Sequence, residues 1–111
     1  MQQDIIWIDV PFSDFSGSKL RPALVVSNNG YNASGLDVVI CGITSNLAEQ
    51  PHSVPISQHN LIEGYLPMLS RIKSDKLSKI EKKLIKKRIG KLNDETFDLV
   101  VAEINDLITR R

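Results

Sequence analysis

Short apolar runs separated by turn-forming residues fill the first half of the chain, and they restrict the fold more than any other feature. The four runs lie at residues 4–10, 21–27, 36–43 and 52–56. Each contains Val or Ile and is shorter than the usual buried helix, so all four are predicted strands. Pro55 favours an edge position for the fourth strand, since proline donates no hydrogen bond to a neighbouring strand.

Only the last segment has clear helical periodicity. Residues 93–109 place six apolar side chains on one helical face. The six are Phe97, Val100, Val101, Ile104, Leu107 and Ile108. Asn93 is the predicted N-cap. Several short strands followed by one helix predict a mainly β fold of the α+β class, in which the helix packs on a strongly curved sheet or small barrel.

The segment between these two parts is less clearly patterned. Residues 65–69 and 72–80 have the composition of strands. Residues 82–89 fit either a turn of basic helix or an edge strand that ends at Gly90. Turn-forming residues also predict a loop at 13–19 and a turn at 28–30.

Length and composition exclude several classes of protein. With 111 residues, the chain is predicted to form a single domain, 1–111. It has no apolar run near the roughly 18 residues of a membrane span, and its start lacks the pattern of a signal peptide. Cys41 is the only cysteine and lies mid-strand, which predicts a buried thiol rather than a disulfide or a zinc ligand. We therefore expect a cytoplasmic protein without membrane contact, metal or cofactor.

The formal net charge of +1 hides a strong segregation of charge along the chain. Residues 71–91 hold ten bases and two acids, whereas residues 1–70 hold two bases and six acids and residues 92–111 two bases and five acids. This block of +8 fits a surface that faces a polyanion such as RNA. It fits equally well a solvated face that balances the acidic segments or attracts an acidic protein.

No established catalytic motif occurs, but polar residues stand at the ends of predicted strands and within the basic block. They are Arg21, Thr44, Ser45, Lys73, Asp75 and Lys76. Strand ends hold side chains rigidly while exposing them to solvent, which favours a site there. The alternatives are a structural ion pair for Arg21 and a turn-capping hydroxyl for Thr44. His52 and His59 are expected at the surface or at a sheet edge.

These residue types suit RNA cleavage without a metal. In that reaction the ribose 2′-OH attacks the adjacent phosphate, so the protein supplies a base, an acid and donors to the phosphorane. Asp75 is the candidate base, Arg21 offers a fork of fixed donors, and Thr44 and Ser45 offer neutral donors. A single carboxylate near the proposed centre argues against a two-metal nuclease, which needs a cluster of them.

Four segments resemble the MazF/PemK/Kid family in the same order and spacing. Residues 17–28 resemble its glycine-bearing loop and RPxLVxS/N strand, and residues 43–45 its ITS/VTS strand end. Residues 89–95 resemble its IGKLSDE junction into the final helix, and residues 4–9 its opening GDIVWVDF strand. Each match is weakly specific, but four in register over nearly the whole chain make a strong resemblance.

The resemblance implies the toxin of a type II toxin–antitoxin pair, a metal-independent, sequence-specific endoribonuclease that cuts single-stranded mRNA. It implies an SH3-like, curved antiparallel barrel with a C-terminal helix, working as a homodimer with RNA along the dimer interface. It also implies an antitoxin that inserts an extended, acidic and apolar tail into the same groove. The alternative is a non-catalytic RNA- or protein-binding module, or a gyrase poison, on the same fold.

The resemblance assigns catalysis to Arg21, Thr44, Lys73 and Asp75. Lys73 and Lys76 stand where some members carry arginine and glutamine, and lysine lacks the bidentate fork of arginine. The loop before Arg21 is shorter than in most members, so Ser18 and Lys19 are expected to replace its substrate contacts. The predicted substrate-binding residues are Ser18, Lys19, Ser27, Asn28, Ser45 and Lys76.

Overall fold

The chain folds as one antiparallel sheet with helices, and the computed structural model describes residues 1–11, 14 and 16–111. In the predicted loop at 13–19, Ser13 and Phe15 lie outside the described residues. The strands are β1 (Asp4–Pro11), β2 (Ser18–Val25), β3 (Asp37–Thr44), β4 (Ser53–Ile56), β5 (Leu61–Gly64), β6 (Ser70–Glu81) and β7 (Ile85–Leu92). The helices are α1 (Asn29–Ser34) and α2 (Asp94–Ile108), with 3₁₀ turns at Gln58–Asn60 and Lys82–Leu84.

The seven described strands lie in the order β4-β6-β3-β2-β1-β7-β5, and each neighbouring pair is antiparallel. Within the described ranges β4 and β5 form the two edges, so the sheet is open rather than a closed barrel. The predicted mainly β fold with a C-terminal helix is confirmed, as is the edge position of β4. No helix in these ranges has the length and apolar composition needed to span a bilayer.

Two sequence predictions about local structure are wrong, and for a third segment both alternatives are partly right. The strand expected at 65–69 lies earlier, at β5, where Leu61 pairs with Leu92. Gly90 does not end a strand but lies buried within β7. Glycine is needed at this position because a Cβ there would collide with the carbonyl oxygen of Glu63 on β5. The segment at 82–89 is both a basic turn and the start of β7.

The start of β2 and the residues after its end also differ from expectation. The strand begins at Ser18, so Ser18 and Lys19 belong to β2 rather than to a loop. The turn expected at 28–30 is instead the start of α1, because the Asn28 side chain accepts a hydrogen bond from the Tyr31 N–H at 2.9 Å. An N-cap asparagine satisfies a backbone donor that the helix leaves unpaired.

Two apolar clusters stabilise the sheet. One forms beneath α2, where Phe97 and Val100 pack with Ile5, Leu24 and other buried residues. The other consists of Ile6, Ile8, Ala23, Val25, Val38 and Ile40. Each fully buried aliphatic side chain contributes about 1.5–3 kcal/mol by leaving water. The apolar face of α2 is shorter than predicted, since Leu107 and Ile108 are 40% and 70% exposed.

Candidate functional site

A groove of about 750 Å³ lies among β1, β2, β3, β6 and the segment that precedes β6. Its charged side chains are Lys19, Arg21, Lys73 and Lys76, and its uncharged polar ones are Thr44, Ser45, Asn46, Gln50, Ser70 and Ser78. Among the described residues, no aspartate or glutamate lines it. The excess of cations and hydrogen-bond donors makes the groove attractive to an anion.

Arg21 reaches the groove because of how β2 begins. Its first four residues are exposed, and its last three, from Ala23 onward, are buried in the core. Arg21 therefore lies on a rigid strand, paired with Ile8 of β1, while its side chain stays in solvent. No carboxylate among the described residues approaches it within salt-bridge distance, so the structural ion pair considered above is not formed there. Its planar fork of donors is available to a phosphate.

Thr44 ends β3 and is half-buried, and Ser45 follows it in an exposed position. The Thr44 hydroxyl oxygen accepts a hydrogen bond from the Asn46 backbone N–H at 3.1 Å. The hydroxyl therefore does cap the turn, which was the structural alternative for this residue. Its own O–H makes no hydrogen bond among the described residues, so capping leaves the proton available to a ligand.

A three-residue bulge in β6 brings Lys73 and Lys76 to the groove. Cys41 of β3 pairs with Leu77, but the next residue, Gly42, pairs with Lys73. The three intervening residues have no partner on β3, and this sets the path of Lys76. A Cβ on Gly42 would lie 3.2 Å from the Lys76 Cδ, so the lysine side chain runs directly over the glycine.

Asp75 is the middle residue of this bulge and is exposed. It does not line the groove, although Lys73 and Lys76 on either side of it do. Of the four residues predicted to be catalytic, the structure thus brings together Arg21, Thr44 and Lys73 and leaves Asp75 at the margin.

Buried groups beneath the bulge fix its shape. Ser74 is fully buried, and its N–H donates to the His52 carbonyl oxygen at 2.9 Å. The Cys41 thiol contacts the Ser74 carbonyl oxygen at 4.0 Å. Burial, reinforced by the charge of Asp75, raises the pKa of Cys41 to about 12. Cys41 is therefore a neutral, buried thiol rather than a nucleophile.

The predicted substrate-binding residues divide into two groups. Lys19, Ser45 and Lys76 line the groove, whereas Ser18, Ser27 and Asn28 are not among its described lining residues. The side chain of Asn28 caps α1, and the Ser27 hydroxyl accepts a hydrogen bond from the Val39 N–H at 2.9 Å. The structure thus gives Ser27 and Asn28 positions in the fold rather than in the groove.

Sequence reasoning missed several side chains that line the groove, among them Trp7, Asn46 and Gln50. The last two follow β3 in a segment without periodicity, so no sequence signal marks them. Trp7 lies within the apolar run of β1, and its partial exposure in the groove could have been predicted only from the curvature of the sheet.

Comparison with known proteins agrees with the fold. A sequence model of the PemK-like, MazF-like toxins of type II toxin–antitoxin systems matches residues 1–108. The chain belongs to this family. No curated protein matches the chain.

Solved structures of low sequence identity share the fold. An endoribonuclease in complex with its cognate antitoxin, from a mycobacterial species, is 17% identical with a TM-score of 0.80, over 100% of this chain and 98% of that one. MazF in a MazE–MazF crystal structure from Deinococcus radiodurans is 18% identical with a TM-score of 0.80, over 96% and 92%. The Mycobacterium tuberculosis toxin MazF-mt6 is 18% identical with a TM-score of 0.70, over 91% and 93%.

Proposed function

We propose that this chain is a single-domain endoribonuclease that cleaves single-stranded mRNA at specific sequences in the cytoplasm, without a metal, by attack of the ribose 2′-OH on the adjacent phosphate. The observation that carries the proposal is the lining of the groove, in which four cations meet several hydroxyls and amides and no described acidic side chain. Phosphate oxygens are the ligands that such a lining favours. Solved relatives described as endoribonucleases support the choice of RNA.

Arg21 and Thr44 stabilise the charge that develops on the phosphorane. The guanidinium donates two parallel hydrogen bonds to the phosphoryl oxygens, a geometry for which its fork is already organised. Thr44 donates one neutral hydrogen bond, and the turn that its oxygen caps holds it in place. Fixed donors of this kind usually supply the largest share of catalysis.

Asp75 and Lys73 move the protons. Asp75 accepts the 2′-OH proton as the oxygen attacks phosphorus, and Lys73 donates a proton to the departing 5′-oxygen. The products are a 2′,3′-cyclic phosphate and a 5′-hydroxyl. Because Asp75 lies at the margin of the groove, the attacking ribose must lie beside the bulge while its phosphate reaches Arg21.

Cleavage of a mixed single-stranded RNA in EDTA tests this proposal. We expect cuts at a short recognition sequence and fragments that end in a 2′,3′-cyclic phosphate. The matched control is the same RNA with a single 2′-deoxynucleotide at the cut, which should bind with similar affinity and stay intact. Cleavage of the deoxy substrate, or a requirement for Mg²⁺, would contradict the mechanism. Binding by folded protein without any cleavage would instead favour the non-catalytic module.

The same proposal includes two protein partners, a second copy of the chain and an antitoxin. The groove carries exposed apolar side chains beside its cations: Leu20 is 52% and Met68 59% exposed. A mixed apolar and cationic surface fits an extended tail that is both acidic and apolar, and relatives crystallised with an antitoxin support this pairing.

Each partner has its own test. Sedimentation should give twice the mass of one chain, and a monomer at working concentration would contradict the dimer. If a small open reading frame for a protein with an acidic tail lies directly upstream, its product should block RNA cleavage when it is co-expressed. Unchanged cleavage in a stable complex of the two proteins would contradict an antitoxin that occupies the groove.

A further inference from the structure

Three potential metal ligands meet at a second place in the molecule, between the start of β4 and the outer part of α2. His52 Nδ1 lies 3.3 Å from Glu103 Oε2 and 3.8 Å from Asp106 Oδ2. One donor atom from each of the three residues lies within 4.8 Å of the others. None of these three residues lines the groove described above.

The distances fit a transition-metal ion between the three atoms. Zinc binds imidazole nitrogen and carboxylate oxygen at about 2.0–2.2 Å, so two of its ligands at a tetrahedral angle lie about 3.4 Å apart. The two distances from His52 Nδ1 bracket that value. Small rotations of the two carboxylates, which are 40% and 51% exposed, would close the site around an ion.

The imidazole nitrogen gives a second, independent indication of a ligand. The His52 side chain is 26% exposed, but its Nδ1 atom is shielded from solvent and makes no hydrogen bond among the described residues, although Glu103 Oε2 lies only 3.3 Å away. The carboxylate therefore lies off the axis of the ring nitrogen, which is where a second ligand of a shared metal belongs. A buried polar atom without a partner is unfavourable, and a metal ion on that axis would satisfy it.

The backbone brings the three residues close together before any ion binds. His52 has a left-handed φ of 55°, and its carbonyl oxygen accepts the Ser74 N–H at 2.9 Å. Glu103 and Asp106 are three residues apart on α2 and so share one face of the helix. The other oxygen of Asp106 pairs with Arg111.

We propose that His52, Glu103 and Asp106 form a binding site for one divalent transition-metal ion of the zinc class, completed by water. An imidazole among the donors favours such ions over Mg²⁺ or Ca²⁺, which prefer oxygen ligands alone. The ion would join α2 to the start of β4, whose His52 carbonyl supports the bulge through Ser74. Its role is therefore structural, and it takes no part in the cleavage proposed above.

Zinc titration of the full chain tests the site. Untagged protein is stripped with EDTA, dialysed and titrated with Zn²⁺ by calorimetry, and a Co²⁺ spectrum reports coordination by nitrogen and oxygen. We expect one ion per chain and a rise in the unfolding temperature with zinc. Glu103→Gln and Asp106→Asn, which keep the size of each side chain, should each weaken binding at least about tenfold. His59→Gln is the matched control, because it removes the other histidine and should leave binding unchanged.

Several outcomes would overturn the proposal. Absence of saturable binding means that the cluster is only an ion pair between histidine and carboxylates. Wild-type affinity in both Glu103→Gln and Asp106→Asn, or loss of binding in His59→Gln, places the ion elsewhere. Thermal unfolding of each metal-free variant shows whether it is folded before titration. Because the readout is metal binding, the result stands whatever the RNA assays give.

Discussion

Replacement of Arg21 by alanine should remove catalysis and leave the fold intact. The side chain is exposed and contacts no carboxylate among the described residues, so the free energy of unfolding should change by no more than about 0.5 kcal/mol. Loss of one positioned donor to a developing oxyanion lowers kcat by roughly 10²–10³. A large loss of rate at unchanged stability separates a residue that acts on the substrate from one that holds the structure.

Arg21→Lys tests whether the fork of donors matters or only the charge. Lysine keeps the positive charge but cannot make two parallel hydrogen bonds to one phosphate. A hydrogen bond to a charged group contributes about 1.5–3 kcal/mol, so the loss of one predicts a rate roughly 10- to 150-fold below wild type. This variant should therefore lie between wild type and Arg21→Ala.

Arg71→Lys is the matched control, since Arg71 has a structural partner. Its Nε donates to the Ser53 hydroxyl at 2.9 Å, and it is not among the described residues that line the groove. We expect a lower unfolding temperature and little change in rate. Lys79 is exposed on β6 and also lies outside that lining, so Lys79→Ala measures the effect on the rate of removing one positive charge.

The assay is single-turnover cleavage with protein in excess, run beside thermal unfolding and binding of the 2′-deoxy substrate. A rate for Arg21→Ala within about threefold of wild type, less than 1 kcal/mol of barrier, would refute the role of Arg21. Equal losses in Arg21→Ala and Lys79→Ala would show that only total charge matters.

Three further predictions follow from the same structure. Lys73→Arg should lower the single-turnover rate, because Lys73 is the proposed proton donor and arginine, though also positively charged, gives up its proton less readily than lysine; a rate equal to or above wild type would contradict that role. Burial raises the pKa of Cys41 from 9.0 to about 12, so the folded chain retains a proton that the unfolded chain releases. The contribution of this thiol to the free energy of unfolding is therefore fully present below pH 9 and is lost as the pH rises toward 12. Chemical denaturation should show a free energy of unfolding about 1.4 kcal/mol lower at pH 10 than at neutral pH, and Cys41→Ala should lack this decrease. Finally, neutralisation of four phosphates by the groove predicts a slope near −3 in a plot of log affinity against log salt, since each single-strand contact contributes about −0.7.

Patterns that depend on neighbouring residues were predictable from the sequence. The Val- and Ile-rich runs predicted β1, β2 and β3, and Asn93 with the spacing after it predicted α2, whose cap accepts the Thr96 N–H at 2.8 Å. Pro55 correctly marked an edge strand. These features follow from local sterics and from amphipathic spacing, which act within a few residues.

Features that depend on contacts between distant strands were not predictable. Gly90 has the sequence signature of a break, but β5 approaches β7 so closely there that only glycine fits, and the strand continues. The bulge in β6 also has no local signature, because it exists only in relation to β3. The site is affected in the same way: the bulge brings Lys73 to the groove and leaves Asp75 at its margin.

The basic block illustrates the same limit for charge. Two of its cations pair with acids that are distant in sequence and belong to the acid-rich first part of the chain. Lys86 lies 3.8 Å from Asp9, and Arg88 lies 3.0 Å from Asp4 and 2.5 Å from Glu63. The hydrogen bond from Arg88 lowers the pKa of Glu63, as expected for a carboxylate with a cationic partner. Charges that are separated along the chain are therefore interleaved on the sheet.

In the groove, cations are not interleaved with described acids in this way. Only Lys73 and Lys76 of the basic block line it among the described residues, and its other cations, Lys19 and Arg21, are the two bases of the acid-rich part. Acids of β1 and β5 offset cations of β7, whereas no described acid offsets these four. The positive potential of the groove thus arises from the local absence of described acids and not from the +8 block as a whole. If RNA binds there as proposed, the salt dependence should therefore reflect four charges rather than ten.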